Sequence, residues 1–184
     1  MTHINLLALC GSLREGSLNS AVAHAAAGLC RPPAAMTVHG GLDGLPFFNP
    51  DVESSTPPAV VQDFRARLAA ADAVLIASPE YARGTSGMLK NALEWVVGSG
   101  ELVAKPVAVV TASPSAAGGE RAQAWLRETL EVMSAQVLPE SLRIPCASAR
   151  ITEGQVTDPV LLGELTGVVE AMVRAVETLR RPVA

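Results

Sequence analysis

Four times along the chain a short, mostly apolar run stops at a polar segment containing Gly or Pro and gives way to a stretch of helical periodicity. The runs are Ile4–Cys10, Met36–His39, Ala73–Ala77 and Pro106–Val110. After the first, Val22, Ala25, Ala26 and Leu29 recur at helical spacing, predicting a helix from about Ser17 to Leu29. The later faces are Val60, Val61, Phe64, Leu68 and Ala71; Met88, Leu89, Ala92, Leu93 and Val96; and Ala122, Trp125, Leu126, Leu130 and Met133. Strands that are apolar on both faces need helices on both sides, which is the setting of a parallel sheet. A fifth strand is expected within Gln136–Ile144, in the poorly patterned stretch from Ser134 to Pro159. Leu161, Leu165, Val168, Val169, Met172, Val173, Val176 and Leu179 mark a long C-terminal helix. The Gly- and Pro-rich segment from Gly40 to Pro58 is expected to be a long loop, and such loops are often functional.

Strands alternating with helices, joined by right-handed crossovers, make a three-layer α/β fold. Five parallel strands suit the flavodoxin-like order 2-1-3-4-5, whose switch point lies between strands 1 and 3. The 184 residues fit a single domain, 1–184. In that order the loops after strands 1, 3 and 4 open on one sheet edge, where open α/β sheets bind ligands. These loops, Gly11–Asn19, Ser78–Gly87 and Thr111–Gly119, are also the most unusual segments of the chain.

Composition removes several functions. Lys and Arg number 14 against 18 Asp and Glu, a net charge of −4, which leaves no basic footprint for nucleic acid or an anionic membrane. Aromatic residues make up 3%, too few for a single-strand stacking platform. No apolar run is long enough to span a bilayer, and Met1-Thr2-His3 runs into the first strand with no charged leader. A cytoplasmic protein is the expectation. Cys10, Cys30 and Cys146 are scattered, and His3, His24 and His39 lack ligand spacing, so neither a disulfide framework nor a metal site is expected. A serine hydrolase built on Ser12 would need a histidine late in the chain, and none follows His39.

The first loop joins a strand to a helix N-terminus, where backbone N–H groups and the helix dipole favour an anion. Ser12, Ser17 and Asn19 add polar side chains and Arg14 adds charge. A plain turn with an N-cap is the competing reading. Gly11 and Gly16 have P-loop spacing, but Ser17-Leu18 replaces the Lys-Ser/Thr pair, which disfavours a nucleoside triphosphate. No Gly-x-Gly-x-x-Gly follows a strand, which disfavours a Rossmann dinucleotide site. A monophosphate suits the loop better. In the second loop, Pro79 stops the strand, Tyr81 is placed either to flank a flat ring or to pack under the loop, and Gly84 and Gly87 allow close approach. In the third, Ala116-Ala117-Gly118-Gly119 exposes consecutive N–H groups, either as anion donors or as a turn.

Gly11-Ser12-Leu13-Arg14-Glu15-Gly16-Ser17-Leu18-Asn19 resembles the phosphate loop of the NADPH-dependent FMN reductase family. Ser78-Pro79-Glu80-Tyr81 through Trp95 resembles its second motif, and Leu45–Asp51 and Gly118–Ala122 are similar to further family segments, all in the family's order. The resemblance implies a flavodoxin-like fold holding FMN non-covalently. It implies that Ser12, Arg14, Ser17, Leu18 and Asn19 hold the phosphate, and that Pro79, Glu80, Tyr81 and Ala82 border the isoalloxazine. Ser113, Gly118 and Gly119 then lie along its other edge. One departure stands out: Ala82 and Arg83 occupy positions where the family often has Asn and Gly.

The family's reaction moves a hydride from NADPH or NADH to FMN and then electrons to a small acceptor such as a quinone, free flavin, azo compound or metal oxyanion. The chemistry is borne by the flavin, so no catalytic acid or base is expected. The alternative is a flavodoxin-like electron carrier without NAD(P)H activity. The resemblance also implies a homodimer or homotetramer, with Phe47-Phe48 and the Met88–Val97 helix as candidate contacts.

Overall fold

The computed structural model describes residues 3–181; Met1-Thr2 and the last three residues, which the single-domain reading includes, lie outside the described residues. Four parallel strands form the body of the sheet: β1 (Ile4–Cys10), β2 (Ala34–His39), β3 (Ala73–Ser78) and β4 (Pro106–Ala112). The order is β2-β1-β3-β4, followed by an edge position, as the alternation predicts. Every residue of β3 and β4 is buried, which explains their unbroken apolar character.

Successive side chains along each strand point to opposite faces, so the core divides in two. Leu6, Ala8, Leu75, Ala77, Ala108 and Val110 pack beneath α1 (Leu18–Leu29) and the long C-terminal α6 (Pro159–Leu179). Leu7, Leu9, Val74, Ile76, Val107 and Val109 pack beneath α3 (Ala59–Ala70), α4 (Gly87–Val97) and α5 (Glu120–Val132). Trp95 is fully buried in this second layer, and Phe48 meets it edge-on.

The edge position departs from a single fifth strand. It is filled by two short pieces, β5 (Gln136–Val137) on the first half of β4 and β6 (Leu142–Ile144) on the second. Pro139 interrupts them, because it has no N–H for the ladder. The Ser141 hydroxyl fills in, accepting from the Val109 N–H at 3.4 Å. The 40–58 segment is less open than its composition suggests. It contains a 3₁₀ turn at Leu42–Gly44 and the short α2 (Pro50–Ser54), N-capped by Asn49. A two-stranded hairpin, β7 (Ile151–Thr152) with β8 (Gln155–Val156), precedes α6 and has no clear signal in the sequence.

Candidate active site

The loops after β1, β3 and β4 meet at one edge and line a common cleft of about 250 Å³. Its walls are Ser12, Arg14, Ser17, Leu18 and Asn19 from the first loop, Pro79, Glu80 and Tyr81 from the second, and Ala112, Ser113 and Pro114 from the third. Ala112 and Pro114 were not singled out in the sequence; their position at the carboxyl end of β4 is the signal that finds them.

Ser17 N-caps α1, its hydroxyl oxygen accepting from the Ser20 N–H at 3.3 Å. The hydroxyl hydrogen remains available to an acceptor in the cleft. Leu18 and Asn19 are the first two helical residues, so their N–H groups have no intrahelical acceptor. Ser12 accepts from the Arg14 N–H at 3.4 Å, and the Arg14 guanidinium donates to the Gly16 carbonyl at 3.3 Å. Among the described residues no carboxylate pairs with Arg14, so its charge faces the cleft mouth uncompensated. Hydroxyls, first-turn amides and one guanidinium thus gather at a helix N-terminus, a donor set suited to a phosphate.

The Asn19 side chain has a different task from the donor role that the resemblance implies. It donates to the Ala112 carbonyl at 3.0 Å and accepts from the Ala112 N–H at 2.9 Å, both bonds buried. It clamps α1 to the end of β4 and leaves only its backbone N–H for a ligand.

Glu80 lines the cleft, but its carboxylate is committed to the third loop. One oxygen accepts from the Arg121 N–H at 2.9 Å and the Ala122 N–H at 3.3 Å. The N-cap position of α5 is Gly119, which has no side chain to cap the helix, and Glu80 supplies the cap from across the cleft. The resemblance, which places Glu80 beside the isoalloxazine, carries no sign of this cap.

Gly118 and Gly119 do not line the cleft. Both have left-handed φ (+62° and +82°), and a Cβ would lie 2.9 Å from the Pro145 nitrogen or 2.8 Å from the Thr111 Cβ respectively. The Gly118 N–H donates to the Ser115 carbonyl, and its own carbonyl accepts from the Thr111 hydroxyl at 2.7 Å. These glycines are required by backbone packing behind the rim.

Ala82 is also absent from the lining, for a reason that concerns the turn itself. Tyr81 and Gly84 exchange both backbone hydrogen bonds at 2.9 Å, closing a two-residue hairpin whose central residues have φ of +50° (Ala82) and +64° (Arg83). Two consecutive left-handed residues define the mirror-image turn that favours Asn-Gly. The Asn and Gly common in the family at these positions are therefore what the turn prefers, and this chain builds it from less suited residues. The turn holds Tyr81, half of whose surface is exposed, at the lip of the cleft.

Burial holds the Cys10 thiol above its ordinary value against the opposing pull of hydrogen bonds with the Ser12 backbone and the Ser17 side chain. It stays protonated near neutrality and is no nucleophile. Among the described residues no group of His, Cys, Asp and Glu is arranged to hold a metal. A larger cavity, about 370 Å³, lies between the end of α1 and α6. Its arginines are already occupied, Arg31 by the Gly28 and Cys30 carbonyls and Arg174 by Glu170, so it offers no donor cradle.

Phe47 lies outside the cleft. Its loop is pinned by Asn91, which accepts from the Phe48 N–H and donates to the Pro46 carbonyl, and by the Trp95 indole N–H, which donates to the same carbonyl. From this rigid base Phe47 is 90% exposed.

Comparison with known proteins agrees with this architecture. Residues 4–148 match the model of the NADPH-dependent FMN reductase family. An NAD(P)H-dependent FMN reductase of Pseudomonas aeruginosa is 38% identical over 84% of this chain and 85% of its own length. A quinone reductase of Escherichia coli is 33% identical over 89% of this chain and 90% of its own. The solved structure of a flavoenzyme NAD(P)H:(acceptor) oxidoreductase from Paracoccus denitrificans superposes with a TM-score of 0.84 at 30% identity, covering 95% of this chain and 98% of that one. A chain that shares this sheet order, this cleft and these relatives belongs to the NADPH-dependent FMN reductase family.

Proposed function

We propose that the protein is an NAD(P)H-dependent FMN oxidoreductase that delivers electrons to a small acceptor, with quinones the first class to test. The observation that carries the reading is the cleft formed by the β1, β3 and β4 loops, with unpartnered amides and hydroxyls gathered at one end. That donor set fits the monophosphate of FMN. When bound, the flavin supplies the redox chemistry, accepting a hydride from the nicotinamide and passing electrons on.

The chain's own residues bind and position. Ser12 and Ser17 donate hydroxyl hydrogens to the phosphate, the Leu18 and Asn19 amides donate from the helix N-terminus, and Arg14 balances charge. Pro79, Glu80 and Tyr81 form one wall for the ring system, and Ala112, Ser113 and Pro114 the other. Ala82, Gly118 and Gly119 act by shaping the turns that carry these walls. No side chain in the cleft needs to transfer a proton for the hydride step. The chain acts as a single flavin-binding unit, and the exposed Phe47 on its pinned loop is the contact through which two copies assemble into a homodimer or larger oligomer.

The test is a visible spectrum of protein loaded with FMN and desalted, before and after anaerobic NADPH. Flavin bands that survive desalting and then bleach support the reading. Retained bands that resist both NADPH and NADH mean an electron carrier, and loss of all flavin removes the phosphate-loop assignment. Gel filtration tests the assembly: elution at monomer size, for wild type as for Phe47→Ser, refutes it.

A further inference from the structure

Two hydroxyls lie behind the cleft wall. Ser78, the last residue of β3, is fully buried, with its Oγ 2.9 Å from the Pro79 carbonyl oxygen and 2.6 Å from the Thr85 Oγ1. Chemistry determines where the hydrogens sit. A carbonyl only accepts, so the Ser78 hydroxyl donates to Pro79. Its one hydrogen is then committed, so the Thr85 hydroxyl donates to Ser78. This relay closes the base of the second loop, as the Tyr81–Gly84 backbone pair closes its tip.

The relay also fixes one peptide plane. Side chains alternate along β3, so Ser78 shares its face with Val74 and Ile76, the side covered by α3, α4 and α5. The Pro79 carbonyl is drawn to that side. The Pro79–Glu80 peptide is trans, and in a trans peptide the C=O and N–H point in opposite directions. The Glu80 N–H is therefore turned to the α1 side of the sheet, where Ser17, Leu18 and Asn19 line the cleft with Glu80 itself. Among the described residues this N–H has no acceptor. A backbone donor at a cleft wall without a partner in the chain is available to whatever fills the cleft.

We infer that the Thr85–Ser78–Pro79 relay positions the Glu80 N–H as a fixed donor towards the flavin ring, and so favours the oxidised over the reduced cofactor. This rests on the proposed FMN-binding function. Oxidised flavin carries ring-nitrogen lone pairs that accept hydrogen bonds, and reduction adds hydrogen to ring nitrogen, which a fixed N–H meets as a second donor. Without the relay the peptide is free to rotate and offer its carbonyl to the reduced ring. Ser78 and Thr85 act through Glu80 and touch no reacting atom; they are positioning residues.

The test reads two quantities: the affinity for oxidised FMN, by fluorescence titration, and the midpoint potential of the bound flavin, by anaerobic equilibration with a reference dye. Ser78→Ala is expected to weaken oxidised FMN about tenfold relative to reduced FMN, which raises the bound potential by about 30 mV, the two-electron equivalent of tenfold. Thr85→Val leaves the Ser78 hydroxyl in place without its donor and should give about threefold, or about 15 mV. That variant carries the test if Ser78→Ala does not fold. Thr85→Ser keeps the hydroxyl and should restore the wild-type potential. A relay that only braces the loop would weaken both redox states equally and leave the potential unmoved. That result, or no change in affinity or potential, would overturn the inference. Wild-type protein that holds FMN in neither redox state would refute the flavin reading itself, and the inference with it.

Discussion

Replacing Ala82 and Arg83 by Asn and Gly should make the protein more stable, although neither change adds a packing contact. The Tyr81–Gly84 hairpin fixes both central residues at left-handed φ, +50° and +64°. That conformation costs an ordinary residue about 1–2 kcal/mol, less for Asn and little for Gly. Some of the gain is returned, because Gly at 83 makes the unfolded chain freer by about 0.5–1 kcal/mol. The balance for the pair is a stabilisation of about 1–2 kcal/mol. In a domain of this length about 1 kcal/mol moves Tm by about 2–4 °C, so a rise of about 2–8 °C is expected. Thermal unfolding should be followed with flavin removed and again with flavin saturating, since a ligand that binds only the folded state raises Tm by itself. Each single substitution should give part of the rise. An unchanged or lower Tm for the double variant in the flavin-free state would show that the two left-handed residues carry no such cost, and the account of the Asn-Gly preference would fall.

Three further outcomes follow from named contacts. Glu80→Ala should lower stability by about 1 kcal/mol by uncapping α5 and should weaken flavin retention, with Glu80→Gln falling between; a Glu80→Ala variant that unfolds and holds flavin as wild type does would refute the cap. Asn19→Ala should cost about 2 kcal/mol, because it strands the buried N–H and C=O of Ala112, and chemical denaturation reads the loss directly; a shift below about 0.5 kcal/mol would mean that the clamp is dispensable. Burial, joined by the nearby Arg67 guanidinium, holds the His39 imidazole below its ordinary 6.5. The folded chain therefore binds this proton less readily than the unfolded chain. The stability it confers is whole above about pH 6.5 and drains as pH falls through the folded-state value. His39→Gln should flatten the decline in stability between about pH 7.5 and about pH 5, and an unaltered slope would count against the assignment.

The fold was largely legible because its signals are local. An apolar run such as Ala73–Ala77, ended by Ser78-Pro79 and followed by the Met88–Val96 stripe, carries strand, turn and helix in one passage. The gathering of the three loops followed from topology alone. What escaped were roles that depend on distant partners. Asn19 looked like a ligand donor because it sits in a donor-rich loop, yet its side chain answers to Ala112, 93 residues away. Glu80 caps a helix that begins 40 positions later, and no periodicity encodes that. The glycines Gly118 and Gly119 looked like an anion nest, since a sequence does not distinguish glycine needed for a ligand from glycine needed beneath Pro145 and Thr111. The 81–84 turn was misleading in the other direction, because Ala-Arg is not the pair that such turns normally announce.

The divided strand at the sheet's margin bears on how the molecule behaves in a crowd. A continuous, flat outer strand presents a row of free amides and carbonyls on which a second chain can grow, the first step towards fibrils. Here that row is cut into pieces of two and three residues, with Pro139 between them and the Arg127 guanidinium covering the Leu138 carbonyl at 3.0 Å. Extension across this border is blocked by covalent structure as well as by charge. At this margin, a second chain finds no continuous ladder to extend.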